Sequence, residues 1–185
     1  LLLSNLTLGT SYVDGSQIHD QLLAHLAHLR AFHFSIGTVI RNLDRTLKHP
    51  TNDDVQRSFI VHGYHQFDSY VDHRPEYARS ACHVYSVPYV LDEFSHVTNR
   101  FPGGSFVTVR HLVMKDDLPF EHVFFQRMSH AFPSLRSITV INNAPQLVIS
   151  QPSSMAICFP HLAHLYLDLA HSDYLMEFLC SSRTS

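Results

Sequence analysis

A spacing of apolar residues that returns every 26 or 27 positions constrains this chain more than any other feature. The pattern apolar-x-x-apolar-x-apolar occurs at Leu3, Leu6 and Leu8 and again at Leu29, Phe32 and Phe34. It returns at Val109, Leu112 and Met114, at Leu135, Ile138 and Val140, and at Leu162, Leu165 and Leu167. A weaker copy is Cys82, Tyr85 and Val87, and two copies share the lead-in Phe-Pro-x-Leu at Phe132–Leu135 and Phe159–Leu162. The last two apolar positions lie two apart, so they point to one face of a short strand. A period in the ~20–29-residue range is that of leucine-rich repeats, in which each strand returns to the same edge through a crossover, usually a helix. The expected fold is therefore an α/β, leucine-rich-repeat-like solenoid of parallel strands alternating with helices. It is read as one domain over residues 1–185.

Helical spacing falls where such crossovers are needed. Ile18, Leu22 and Leu26 recur every four residues, and Leu91, Phe94, Val97 and Phe101 read as one stripe. Phe120, Val123, Phe124, Met128 and Ala131 form another, with Glu121 in the first turn. Asp173 is placed to cap a helix burying Tyr174, Leu175, Phe178 and Leu179. Residues 37–81 break the period and read as an irregular insertion. Within it, Thr51 or Asn52 starts a helix through Val55–Phe59, Gly63 stops it, and Tyr64–Tyr77 leads into Cys82–Val87 as an irregular strand or hairpin. The chain starts directly in an apolar strand pattern, which suggests a fragment lacking its N-terminal part.

Several segments carry a resemblance: Asn52-Asp53-Asp54-Val55-Gln56-Arg57, Cys82-His83-Val84-Tyr85-Ser86-Val87-Pro88, Phe101-Pro102-Gly103-Gly104, Phe159-Pro160-His161-Leu162 and His171-Ser172-Asp173-Tyr174. Together they resemble the C-terminal region of a large invertebrate F-box protein family. In such proteins an N-terminal F-box docks on a cullin-type ubiquitin ligase and the repeat region is expected to present the substrate. No matching Leu-Pro-containing helical segment precedes the repeats here. The resemblance thus implies the substrate side, with the cullin-type ligase reached only through the missing F-box.

Composition narrows the function classes. The 13 Lys and Arg against 16 Asp and Glu give a net charge of -3, with no basic run of the kind nucleic acid requires. Residues 137–167 carry no Asp, Glu, Lys or Arg, yet Asn142, Asn143, Gln146, Gln151 and three prolines deny them the ~20 apolar residues of a membrane span. Cys82, Cys158 and Cys180 are odd in number, far apart and without a CxxC pair, which suits reduced thiols in the cytoplasm or nucleus.

No constellation for catalysis, a cofactor or a metal stands out, and the expectation is a non-enzyme. His25/His28, His62/His65 and His161/His164 have i, i+3 spacing, but no Cys or carboxylate cluster completes a ligand set. Gly103-Gly104 reads as a turn rather than a phosphate loop, and Ser154 lies in no G-x-S-x-G elbow. Cys82 beside His83 occupies an apolar frame position, which favours a buried thiol over a nucleophile.

What remains is a surface. Residues flanking the last two apolar positions of each copy should point away from the core. These include His33, His111, Lys115, Thr139, His164, Tyr166 and Asp168, the candidate contacts for an unidentified protein partner. The function expected is a protein-protein interaction module, the substrate-recognition region of an F-box-type ubiquitin-ligase subunit. The alternative is a general protein-binding repeat domain with no ubiquitin link. The histidine spacing carries its own prediction: after dialysis, elemental analysis should find far less than one zinc per chain. One zinc per chain would mean the ligands converge from distant segments.

Overall fold

A computed structural model describes residues 2–8, 11–41, 49–148 and 157–179, with side chains described over 11–41, 49–148 and 157–178. Where the sequence reads as one domain, contacts gather into two compact units, Leu1–Leu91 and Asp92–Ser185.

The first unit holds β1 (Leu2–Leu8), α1 (Gly15–Gln21), β2 (His33–Arg41), α2 (Asn52–Ile60), β3 (Phe67–Arg74) and β4 (Arg79–Ser86). Its sheet runs β1-β2-β4-β3. Among the described residues, β1 and β2 pair parallel, while β2 and β3 both pair antiparallel with β4. This overturns the single parallel solenoid. The 82–87 copy has the right spacing, but it pairs antiparallel with β2, from Ser35↔Tyr85 to Arg41↔Arg79. The reason lies in the connection before it. A parallel return needs a dozen or more residues, and β3 reaches β4 through a tight turn, Pro75–Tyr77, closed by Ala78 at φ 47. A turn that short can only reverse the chain. Apolar spacing marks which residues face inward and carries no strand direction.

The 37–81 insertion is therefore part of the sheet's structure: it contains the second half of β2, all of α2 and all of β3. The expected cap of α2 is present. Asp54 N–H donates to Thr51 Oγ1 at 3.3 Å and Thr51 N–H donates back to Asp54 Oδ2 at 2.9 Å, a reciprocal capping box. Gly63 takes φ +80 just past the helix. Val55 and Phe59, four apart, bury one face of α2 in the core formed with Ile18, Phe34, Ile36 and Val84. The Phe59 ring stacks 4.7 Å from Phe67 and 5.8 Å from Phe34. Ile18 is buried in α1, but that helix ends at Gln21, and a tighter turn over Leu23–His25 follows.

The second unit holds β5 (Glu93–Val97), β6 (His111–Lys115), α3 (His122–Ala131), β7 (Ser137–Ile141), β8 (His164–Leu167) and α4 (Asp173–Leu179). Its sheet is β5-β6-β7-β8, every neighbouring pair parallel. The parallel ladder that the spacing predicts along the whole chain is thus found over 93–167 and, in the first unit, in the β1–β2 pair. Inward positions Leu112, Met114, Ile138 and Val140 are almost fully buried.

The Leu91–Phe101 stripe is a second correction, since these residues form β5 and the turn after it rather than a helix. The register shifts between Phe94 and Val97, and His96 takes φ 59. The irregularity brings residues three apart into the core together, which imitates helical spacing. Phe94 and Phe101 join Phe106 and Phe132 with ring centroids 5.0–5.6 Å apart. In α3 the buried face is Phe124, Phe125, Met128 and Ala131, while Val123 is 64% exposed and Phe120 is buried ahead of the helix. Tyr174 of α4 is buried and its hydroxyl donates to the Ala144 carbonyl at 2.7 Å; Leu175, expected inside, is 42% exposed. Leu179 lies outside the described side chains. Among the described residues no helix is long and apolar enough to cross a membrane.

Two substitutions test the packing of α1 on α2. A Cβ on Gly15 would fall 2.4 Å from the Ser58 carbonyl oxygen and 2.5 Å from Phe59 backbone, with no flexible side chain to yield. Gly15→Ala should cost more in urea unfolding than Thr51→Ala, which removes one cap and should cost about 1 kcal/mol. Equal, negligible losses would mean the two helices do not approach as described.

Candidate protein-contact surface

In the second unit, alternation along each strand sends one set of side chains inward and the next outward. Parallel register then lines the outward set into rows. His111, Ser137 and His164 form one row, Val113, Thr139 and Tyr166 the next, and Lys115 lies beside Ile141. Neighbouring strands are about 4.8 Å apart, so each row is a short, closely spaced ladder of side chains. The Asp168 N–H donates to the Val140 carbonyl at 3.0 Å, which continues the ladder one residue past β8.

Within this face His111 Nδ1 and Ser137 Oγ are 2.8 Å apart, and the His164 and Tyr166 rings stack at 6.3 Å. His111, His164, Tyr166 and Asp168 are exposed; Lys115 and Thr139 are half-buried. Six of the seven expected contact residues therefore share one sheet face. His33 does not. It begins β2 in the first unit's sheet and is half-buried.

Ser35, two residues along the same strand, is buried, because β2 is central and covered on both faces from Phe34 to Ile40. The Ser35 hydroxyl lies 2.9 Å from His83 Nε2, and the Tyr70 ring packs 5.7 Å from the His83 ring. This polar layer in a sheet interior escaped the sequence reading, since nothing in the spacing distinguishes a central strand from an edge. The same holds for Glu93, which the β5–β6 register sets beside His111 although the sequence assigns its segment to a helix.

The chemistry considered from sequence falls out as follows. Cys82 and His83 are successive on β4 and so point to opposite faces, Cys82 into the helix-covered core and His83 toward Ser35. They cannot form a thiolate–imidazole pair. Burial pushes the Cys82 thiol from 9.0 up to about 12. His62 bonds Ser16 at 3.2 Å and stacks on His19 at 4.4 Å, rather than joining His65. Among the described residues no group of three or more His, Cys, Asp or Glu is placed to hold a metal. Gly103 and Gly104 take φ of 101 and 141 in the loop between β5 and β6, whose turns fall at residues 99–100 and 107–108. Ser154 lies outside the described residues.

Comparison of the chain with protein-family models, curated proteins and solved structures finds no significant match.

The raised Cys82 pKa gives a thiol test with a defined sign. The folded state holds the proton more tightly than the unfolded chain, so this stabilisation is complete below about pH 9 and is lost as pH rises through about 12. In a Cys158→Ser, Cys180→Ser background, Cys82 should resist alkylation at pH 8 and label fully in denaturant. Stability should fall on alkaline titration. Rapid labelling of the native protein would place Cys82 at the surface.

Proposed function

We propose that this chain is a protein-protein interaction module that contacts its partner through the outward face of β6, β7 and β8. The observation that carries this reading is the register itself. It collects histidine, threonine, lysine, aspartate and an aromatic ring from three strands onto one accessible surface. Tyr166 is the natural anchor. It is 55% exposed, its neighbour His164 holds one side of its ring, and aromatic residues of this kind supply a large share of interface energy. Two apolar side chains, Val113 and Ile141, lie half-buried beside the polar ones, so a partner can bury area as well as exchange hydrogen bonds.

The finer reading is the substrate-presenting region of an F-box-type ubiquitin-ligase subunit, acting in the cytoplasm or nucleus. The segment resemblance supports it, as do Cys82 and Cys158, both free thiols. A cullin-type ligase would be engaged through an F-box outside these residues. The alternative, a protein-binding domain with no ubiquitin link, rests on the sheet face alone. Affinity capture with the full-length protein separates the two, since only the first reading requires ligase subunits among the captured proteins.

Paired variants separate binding from folding. Tyr166→Ala should leave the melting temperature close to the parent and weaken capture by an amount worth ~2 kcal/mol or more. Ile138→Ala, at an inward and fully buried position, should instead destabilise by about 2–5 kcal/mol. Leu165 is a poorer folding control, being only half-buried on the last strand of the sheet. A Tyr166→Ala protein that folds and captures every partner would remove this face as the binding site.

A further inference from the structure

We propose that the stacked rings of His19 and His62 form a pH-sensitive latch, which holds α1 on α2 at neutral pH and releases it when both rings are protonated.

The two rings come from separate elements of the first unit. His19 lies on α1, and His62 lies in the turn that follows α2. Their centroids are 4.4 Å apart, with the planes 18° from parallel. Each ring also meets a hydroxyl of the opposite segment: His19 Nδ1 lies 3.0 Å from Tyr64 Oη, and His62 Nε2 lies 3.2 Å from Ser16 Oγ. A hydroxyl both donates and accepts, so these two contacts suit either protonation state. The stack does not. Neutral rings pack face to face, whereas two imidazolium rings set like charges against each other at that distance.

Among the described residues no carboxylate bonds either ring to offset those charges. Asp14 caps α1 by accepting from the Gln17 N–H, and Asp20 is exposed and adjacent to His19 in the chain, on another side of the helix. On α2, Asp53 is exposed, and Asp54 bonds Thr51 and lies 3.5 Å from Arg57. On β3, which packs on α2, Asp68 accepts from the Ser69 N–H, Asp72 accepts from Arg74, and the His73 ring bonds Ser80. His25 and His65 are exposed, and burial raises the Tyr64 phenol, which stays neutral.

Helix α1 has no room to slide aside. The Gly15 N–H donates to Ser58 Oγ at 2.8 Å, and a Cβ on Gly15 would fall 2.4 Å from the Ser58 carbonyl oxygen. With seven residues, α1 is also too short to persist as a helix once undocked. Repulsion in the stack is therefore relieved by separation. Undocked, the rings stand apart and carry both protons without that repulsion, so the undocked form binds more protons as pH falls. Docking is then complete above the range in which free imidazole titrates, ~6.5, and is lost as pH drops through it. Release takes Ile18 out of the core that it shares with Val55 and Phe59.

Hydrogen exchange of the full chain, read by mass spectrometry and corrected for intrinsic rates, tests this. Between about pH 7.5 and about pH 5.5, protection over α1 should fall about tenfold or more relative to that over β6. His19→Gln and His62→Gln each leave one ring to charge, so protection at the lower pH should stay within about twofold of its neutral value. His73→Gln, which removes a histidine of the same unit outside the stack, should respond as the parent does. Unchanged protection in the parent would overturn the proposal. So would a loss in both stack variants equal to the parent's, or a loss abolished by His73→Gln. Should both stack variants open α1 at neutral pH, salt decides: about 1 M sodium chloride restores the parent's protection at the lower pH if like charges open the helix, and no restoration overturns the latch.

Discussion

Backbone hydrogen bonding between strands imposes the constraint on which the rest of this structure depends. A parallel neighbour can be reached only by carrying the chain back to the starting end, which takes a dozen or more residues. In the second unit those residues are available: α3 and its flanking loops span the distance from β6 to β7, and the four strands follow one another in sequence order. Between β3 and β4 they are not, and Pro75–Ala78 reverses the chain. The same apolar spacing therefore sits in a parallel ladder in one unit and in an antiparallel hairpin in the other. Connection length, and not the pattern within each strand, separates the two outcomes.

Packing follows from those topologies. Helices α1 and α2 cover one face of the first sheet, with Phe59 wedged between Phe34 and Phe67, and that contact depends on Gly15 having no side chain. The opposite face of the same sheet is buried as well, but it carries Ser35, Tyr70 and His83. Hydrogen bonding such as that between Ser35 and His83 is what makes burial of those groups tolerable, since an unpaired polar group in the interior costs free energy. The second unit uses phenylalanine instead. Phe94, Phe101, Phe106 and Phe132 meet in tilted, edge-on and stacked pairs around the start of its sheet.

The candidate surface inherits its geometry from the same ladder. Successive outward residues on β6, β7 and β8 are adjacent only because the register between these strands has no offset. A rigid sheet of this kind holds contact residues at fixed spacing, so a partner gains complementarity without the cost of ordering a loop. The surface sets His111, Ser137 and His164 at the strand starts and Val113, Thr139 and Tyr166 one step along the strands.

From sequence alone, the residues themselves determined local structure. The 26–27-residue spacing located β6, β7 and β8, Thr51 or Asn52 marked the start of α2, and Gly63 marked its end. Six of the seven surface residues were legible because alternation on a strand is a local property. Tertiary structure decided the rest. It turned the Cys82 copy antiparallel, put His33 on another sheet and buried Ser35, since strand partners and central or edge position are set by long-range pairing. It also made a strand of Leu91–Phe101's apparent helical stripe, because an irregular register can bring residues three apart to one face as a helix does. The contact of His111 with Ser137 belongs to the same class: 26 residues separate them in the chain, and only the parallel ladder makes them neighbours.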